Sequence, residues 1–177
     1  MYKIAVKFLE RFFKSSTIYK YGFNWSPMYR RTTAKIIEVS HDLHKVVITL
    51  NLNWKNKNYA GSMFGGSMLA ATDPIYMIQL IQILGDDYVV WDKSVEARYN
   101  RPAKARIFGE FVFTPEEIKQ IKLDVADKNE LDIVKTMHLV DTEQNKIATF
   151  IKTLYIADKT FYKHKLKQRQ TTNNTLQ

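Results

Sequence analysis

The chain has 177 residues, of which 45% are hydrophobic and 25% are charged, as is typical of one globular domain. It has no cysteine, which excludes disulfides, a thiolate nucleophile and cysteine-based zinc sites. The net charge of +9 comes from the ends: residues 1–35 carry eight Lys or Arg and one Glu, and residues 159–177 carry five and no acid. Such basic ends suit an anionic ligand, an anionic membrane surface or nucleic acid, and equally solvated termini.

The first predicted element is a basic amphipathic helix within an N-terminal segment that we assign to residues 1–30. In MYKIAVKFLERFFK, the apolar positions 4, 8, 9 and 12 share one side, and the basic positions 3, 7, 11 and 14 mostly share the other. The charges interrupt every apolar run, so no secretory signal is evident. Such a helix could lie on a membrane or cover an apolar face of its own domain.

Two strands are predicted next, at Thr33–Val39 and Lys45–Leu52, joined by the polar turn SHDLH. His41 and His44 in this turn are three residues apart, a spacing that a metal site could use. We interpret the turn as a solvated loop, because the four histidines of the chain form no ligand motif. The sequence therefore predicts neither a metal nor a cofactor.

The stretch Gly61–Gly85 has 25 residues and a single charge, Asp73. It is long enough to cross a membrane, but an Asp at the bilayer centre alone costs roughly 3 kcal/mol. We therefore predict a helix that is apolar on nearly all sides and buried inside a domain. Pro74 in its middle should kink the helix, because the ring removes one hydrogen bond and crowds the preceding turn.

Four more strands and a short helix are predicted in the rest of the chain. The strands are Tyr88–Asn100, Ala103–Thr114, Asp132–Val140 and Lys146–Ile156. The helix TPEEIKQIK opens with a capping box, since Thr114 can cap, Glu117 lies three residues later and Pro115 suits the first position.

This order of elements predicts an α+β domain at residues 31–158. An antiparallel sheet of about six strands would wrap around one long central helix. Residues 159–177 read as a basic, frayed tail.

A motif at the head of the long helix carries a family resemblance. Asn58 is followed six residues later by Phe64-Gly65-Gly66, and Asp73 lies nine residues beyond Phe64. Together with the segment YVVWDKSVEARYNRPAK, this motif resembles the hotdog-fold thioesterases. The resemblance is strongest to the phenylacetyl-CoA thioesterase type and to an uncharacterised branch with a W-D-K-S strand. It spans roughly Arg31–Ala157, and Phe64 stands where that type has a His.

The resemblance implies a hotdog fold and a cytoplasmic homodimer with one continuous sheet, or a tetramer formed as a dimer of dimers. It also implies an acyl-CoA thioesterase whose Asp73 faces Asn58 and the glycine pair of the other subunit. Because Phe64 cannot form the hydrogen bonds of a His, the alternative is a non-catalytic acyl-CoA or fatty-acyl binding protein. We expect no nucleic-acid partner, and membrane contact only through the basic ends.

Each candidate catalytic residue also has a structural interpretation. Asp73 would activate water or attack the thioester, or else cap a helix that restarts at Pro74. The N–H groups of Gly65 and Gly66 would polarise the carbonyl, a contribution of roughly 3 kcal/mol, or the glycines would only permit close packing. Asn58 would orient the water or form a turn.

The remaining candidates would assist the water or contact substrate. By resemblance the strand with Asp92, Lys93 and Ser94 passes near the site, and the Ser94 hydroxyl could assist; the alternative is polar residues that face outward. The long helix would contribute Met68 and Tyr76 to an acyl pocket. The candidates for binding the phosphates of CoA surround the Pro102 turn, where a solvated rim is the alternative; they are Arg98, Arg101, Lys104 and Arg106.

Overall fold

The computed structural model describes residues 13–175. The amphipathic helix predicted from the first fourteen residues falls almost entirely outside this range and stays a prediction.

The described part of the chain forms a mixed α+β structure. Its helices are α1 (Ser15–Trp25), α2 (Pro27–Arg31), α3 (Gly65–Leu84), α4 (Pro115–Lys128) and α5 (Lys159–Thr175). Its strands are β1 (Ala34–Val39), β2 (Lys45–Leu50), β3 (Tyr88–Tyr99), β4 (Ile107–Val112), β5 (Glu130–Asp141) and β6 (Lys146–Asp158). All six strands join one antiparallel sheet in the order β1-β2-β4-β5-β6-β3. The predicted architecture is therefore confirmed, and β3 lies at one edge of the sheet.

The core forms between the sheet and the central helix α3. Along β4 the side chains of Ile107 and Phe111 are buried and alternate with exposed ones, the pattern of a strand with one buried face. Gly109 lies between them, where an added Cβ would come within 2.8 Å of Leu139 and Met137. Glycine is therefore the residue that fits at this position, because side chains from β5 occupy the space that a Cβ would need.

The other side of α3 is covered by α1 and α2, which explains why this helix is apolar nearly all round. The buried Tyr19 and Tyr29 donate hydrogen bonds to the carbonyls of Ile75 and Ala71, each at 3.1 Å. Asn24 exchanges two 2.8 Å hydrogen bonds with the Ile36 backbone of β1. By length and composition α3 could span a membrane, but half of its most apolar stretch is buried inside this domain.

We predict that Tyr29→Phe lowers the free energy of unfolding by about 1 kcal/mol, the usual net value of one hydrogen bond. The ring is fully buried, so the substitution removes the hydroxyl without creating a large cavity. Urea unfolding measures the change. Tyr21→Phe is the matched control, because its ring is half-exposed. Equal stabilities of the two variants would contradict the role of the Tyr29 hydroxyl.

The C-terminal segment corrects the sequence prediction. The frayed tail expected from residue 159 is wrong over Lys159–Thr175, which form α5. The Asp158 carboxylate accepts a 2.8 Å hydrogen bond from the N–H of Phe161 in the first turn. Further along, Lys165 and Tyr155 both contact the Glu130 carboxylate. Tertiary contacts therefore stabilise a helix that has little apolar periodicity of its own.

Helix α4 begins as predicted but is longer. Its capping box is confirmed: Glu117 donates its N–H to the Thr114 hydroxyl at 3.1 Å, and its carboxylate accepts the Thr114 N–H at 2.8 Å. The helix continues to Lys128 and ends at Asn129, which has a left-handed φ of 65°.

Candidate functional site

A cavity of about 210 Å³ opens where α3, β3 and β6 meet. Helix α3 contributes Asp73 to its lining, and β6 contributes Lys152. The edge strand β3 contributes four consecutive residues, Asp92, Lys93, Ser94 and Val95. The structure therefore brings together four of the candidates from the sequence: Asp73, Asp92, Lys93 and Ser94.

An irregularity in β3 explains how consecutive residues can line one cavity. Successive side chains of a regular strand point to opposite faces. Here the register with β6 shifts between Asp92 and Ser94, so Lys93 has no partner on β6. Such bulges re-aim side chains and are frequent beside active sites.

Lys152 is the centre of the charge arrangement, and the sequence analysis missed it. Its side chain is 1% exposed, and its Nζ lies 2.9 Å from Asp92 Oδ1 and 3.4 Å from Asp73 Oδ1. It also donates a hydrogen bond to the Asp73 backbone carbonyl. A signal was present: Phe150, Lys152 and Leu154 alternate as the buried face of β6, where a lysine is out of place.

The two carboxylates of the cavity differ in their surroundings. The side chain of Asp73 is 56% exposed, whereas that of Asp92 is 22% exposed. Burial raises the pKa of Asp92; Lys152 opposes this shift, and the charge of Asp73 adds to it. The cavity thus holds one accessible carboxylate, one partly buried carboxyl and one buried cation.

The N-terminus of α3 offers two backbone donors. Helix α3 begins at Gly65, and the Phe64 carbonyl accepts the N–H groups of Ser67 and Met68. Within residues 13–175, no hydrogen bond engages the N–H of Gly65 or Gly66, as expected in a first helical turn. Together with the positive end of the helix dipole, these groups could hold a developing oxyanion.

Both glycines also have a packing reason. A Cβ on Gly65 would lie 2.9 Å from the Tyr99 ring, and one on Gly66 would lie 2.3 Å from the Phe64 ring. The Tyr99 hydroxyl donates to the Gly65 carbonyl at 3.1 Å. Close packing and backbone donation are therefore compatible at this helix end.

The loop before α3 gives Asn58 a turn-forming role. Its amide donates to the Ser62 hydroxyl at 3.0 Å, and its side-chain oxygen accepts the Ser62 N–H at 3.1 Å. The buried Asn56 braces the same loop, since its backbone carbonyl accepts the Phe64 N–H at 2.7 Å. Within one chain, neither Asn58 nor the two glycines line the cavity that holds Asp73.

The proposed acyl-pocket residues lie in the core of the single chain. Met68 and Tyr76 are 3% and 2% exposed, and Tyr76 packs edge-on against Phe111 and Phe113. Neither side chain lines the cavity.

The basic residues around the Pro102 turn are exposed. Arg98 forms an ion pair with Glu96 at 2.7 Å, and Arg101 donates to Asn145 at 3.2 Å. Lys104 is exposed as well. In the described range, no group of three or more His, Asp or Glu residues is placed to hold a metal ion.

Comparisons with known proteins identify the fold. A family model described as "Domain of unknown function (DUF4442)" matches residues 16–156. A Pseudomonas aeruginosa protein described as a probable thioesterase is 16% identical, with a TM-score of 0.71 over 80% of this chain and 95% of that chain. A Chlorobaculum tepidum TLS protein described as of unknown function is 18% identical, with a TM-score of 0.65 over 81% and 94%.

A thioesterase from Haemophilus influenzae is 11% identical, with a TM-score of 0.57 over 77% of this chain and 87% of that chain. No curated protein matches the chain. At these identities the likeness concerns the fold, and it confirms the predicted hotdog fold.

Proposed function

The chain belongs to the family described as "Domain of unknown function (DUF4442)", and we propose that it is an acyl-CoA thioesterase that works as a homodimer. Two structurally similar proteins support this assignment by their names: the Pseudomonas aeruginosa protein is described as a probable thioesterase, and the Haemophilus influenzae protein as a thioesterase. A cytoplasmic location is part of the same proposal.

The observation that carries the proposal is the placement of Asp73. A carboxylate on an otherwise apolar helix is costly unless it is paired or solvated. Asp73 is half-exposed, lines the same cavity as Ser94 of β3 and is paired with the buried Lys152. This arrangement offers an accessible carboxylate that can act as a general base on water.

The dimer is proposed because the cavity of one chain is incomplete. Its volume of about 210 Å³ is below the roughly 300 Å³ at which ligand pockets usually begin. The edge strand β3 is 12 residues long and exposes Trp91, Val95 and Tyr99, and such an edge is normally covered. Pairing of β3 with its copy across a two-fold axis would complete both the sheet and the site.

In the proposed reaction, Asp73 takes a proton from a water molecule that attacks the thioester carbonyl. The N–H groups of Gly65 and Gly66 of the partner subunit would hold the oxyanion. The carbon–sulfur bond then breaks, the departing thiolate takes the proton back from Asp73, and a carboxylic acid and CoA leave. Asn58 of the partner subunit would fix the loop that presents these donors. The phosphates of CoA would bind the exposed basic residues Arg98, Arg101 and Lys104.

A second candidate function is non-catalytic binding of acyl-CoA or a fatty acyl group. It is favoured by Phe64, which is 57% exposed and whose ring packs over Gly66 at the helix end. An aromatic ring there can contact an acyl chain but cannot donate a hydrogen bond.

The test is release of free CoA thiol from a panel of short, long and aromatic acyl-CoA thioesters. We expect at least one substrate to be hydrolysed well above the rate without protein. Calorimetry with the same panel separates the two functions. Tight binding without thiol release would contradict the enzyme and favour the binding protein, and neither binding nor release would contradict both.

A further inference from the structure

The ammonium group of Lys152 is surrounded by oxygen atoms from the cavity wall. A lysine ammonium has three N–H donors. Lys152 donates to the Asp73 carbonyl and to Asp73 Oδ1, and it forms an ion pair with Asp92 Oδ1 at 2.9 Å. The side chain is 1% exposed, so its charge is neutralised by these groups rather than by water.

Lys152 also joins three elements at the cavity. It extends from β6, where Val95 of β3 is its register partner, and it contacts Asp73 on α3. Two other cations lie nearby and are engaged elsewhere. Lys93 pairs with Asp132 on β5, and Lys135, the register partner of Lys152 on β5, pairs with Glu117 on α4. Lys152 is therefore the lining cation that faces both carboxylates.

A purely structural role would be an expensive use of a lysine. Burying a charge costs several kcal/mol unless well-placed ion pairs and hydrogen bonds offset the loss of hydration. Apolar residues of similar size often replace buried ion pairs without loss of stability. A methionine at this inward position of β6 would fill a similar volume with no charge to bury. The retained charge therefore indicates a role for Lys152 in the chemistry at the cavity.

We infer that Lys152 is a positioning residue of the site: it fixes the Asp73 carboxylate at the cavity and balances the charges of Asp73 and Asp92 together. This inference rests on the proposed thioesterase function. In this arrangement Asp92 is a second carboxylate that competes with Asp73 for the charge of Lys152.

The test compares the pH dependence of kcat/KM in three variants with that of the wild type. Lys152→Met removes the balancing charge, so the acidic limb should move up, as expected when a cation within 4 Å of the carboxylates is lost. Asp92→Asn removes the competing carboxylate, so that Lys152 balances the charge of Asp73 alone and the acidic limb should move down. The double variant carries one carboxylate and no cation, and its limb should lie between those of the two single variants.

The opposite directions distinguish positioning from a structural role. If Lys152 were only structural, Lys152→Met would lower thermal stability without moving the acidic limb, and Asp92→Asn would leave the limb in place. Either result in a folded variant overturns the inference. Asp92→Asn keeps the size and shape of the side chain, so it remains informative if Lys152→Met does not fold.

A measurement without turnover separates this inference from the proposed function. Carbon-13 NMR titration of the aspartate carboxyls reports the pKa of Asp92 directly. We expect Lys152→Met to raise the pKa of Asp92 further, because the cation that opposes the effect of burial is lost. If the wild type hydrolyses no thioester but this shift is seen, only the proposed function fails. An unchanged titration contradicts the role of Lys152, whatever the activity.

Discussion

Asp73→Asn is expected to lower kcat/KM for thioester hydrolysis by about 10²- to 10⁴-fold, the usual contribution of a positioned general base. The amide keeps the size of the side chain but can neither accept the proton of water nor attack a carbonyl. The larger share of the loss should fall on kcat, since the carboxylate acts when the water attacks and contributes little to binding of the CoA moiety. Steady-state assays with the best substrate of the panel measure both constants.

The matched control is Asp127→Asn, which makes the same chemical change on an exposed position of α4. It should leave activity within a factor of about two, because isolated surface substitutions have small effects. Thermal unfolding shows whether both variants are folded. If folded Asp73→Asn retained wild-type kcat/KM, Asp73 would not be the base. The helix-cap interpretation of Asp73 is already wrong, because α3 runs unbroken from Gly65 to Leu84.

The main elements of the fold were predictable because the signals were local. A 25-residue apolar stretch with a charge in its middle favours a buried helix over a membrane span, and α3 is that helix over Gly65–Leu84. Alternating apolar residues marked all six strands to within a few residues. The capping box at Thr114 was predictable because both partners lie within one helical turn.

Helix α5 was not predictable in this way. Its stabilising partners are Asp158 at the end of β6 and Glu130 at the start of β5, which lies 35 residues away from Lys165. A polar sequence with basic residues indicates a solvated tail unless such contacts are known. The covering of α3 by Tyr19 and Tyr29 was hidden for the same reason, since their acceptors are backbone carbonyls 56 and 42 residues away.

The candidate site was predictable only in part. Asp73 was identifiable because a charge on an apolar helix needs a reason. Lys152 lies 79 residues from Asp73, so its pairing could not be inferred, although its place in the alternation of β6 was visible. The function of Asn58 was ambiguous in sequence, and its contacts to Ser62, four residues on, favour the turn.

Gly65→Pro is expected to lower kcat by about 10²- to 10³-fold, the usual effect of removing one oxyanion donor. Proline lacks the N–H group but suits the first position of a helix, so α3 should still form. Phe64 has the extended backbone that a residue before proline prefers, with a ψ of 129°. Gly65→Ala is the matched control: it brings the same Cβ close to Tyr99 but keeps the N–H group. Equal losses in both variants would indicate crowding by the Cβ rather than a missing donor.

Co-expression of Gly65→Pro with Asp73→Asn tests whether the donor and the base come from different subunits. A mixed dimer would then contain one site with both groups intact and one site with neither. With random pairing, half of the dimers are mixed, so about a quarter of the wild-type activity should return. If both groups belonged to one chain, every site would have a defect and the mixture would stay as inactive as its parents. Recovery of a quarter of the wild-type activity would require a dimer whose site takes Asp73 from one subunit and Gly65 from the other. No recovery of activity from folded, mixed dimers would contradict the shared site.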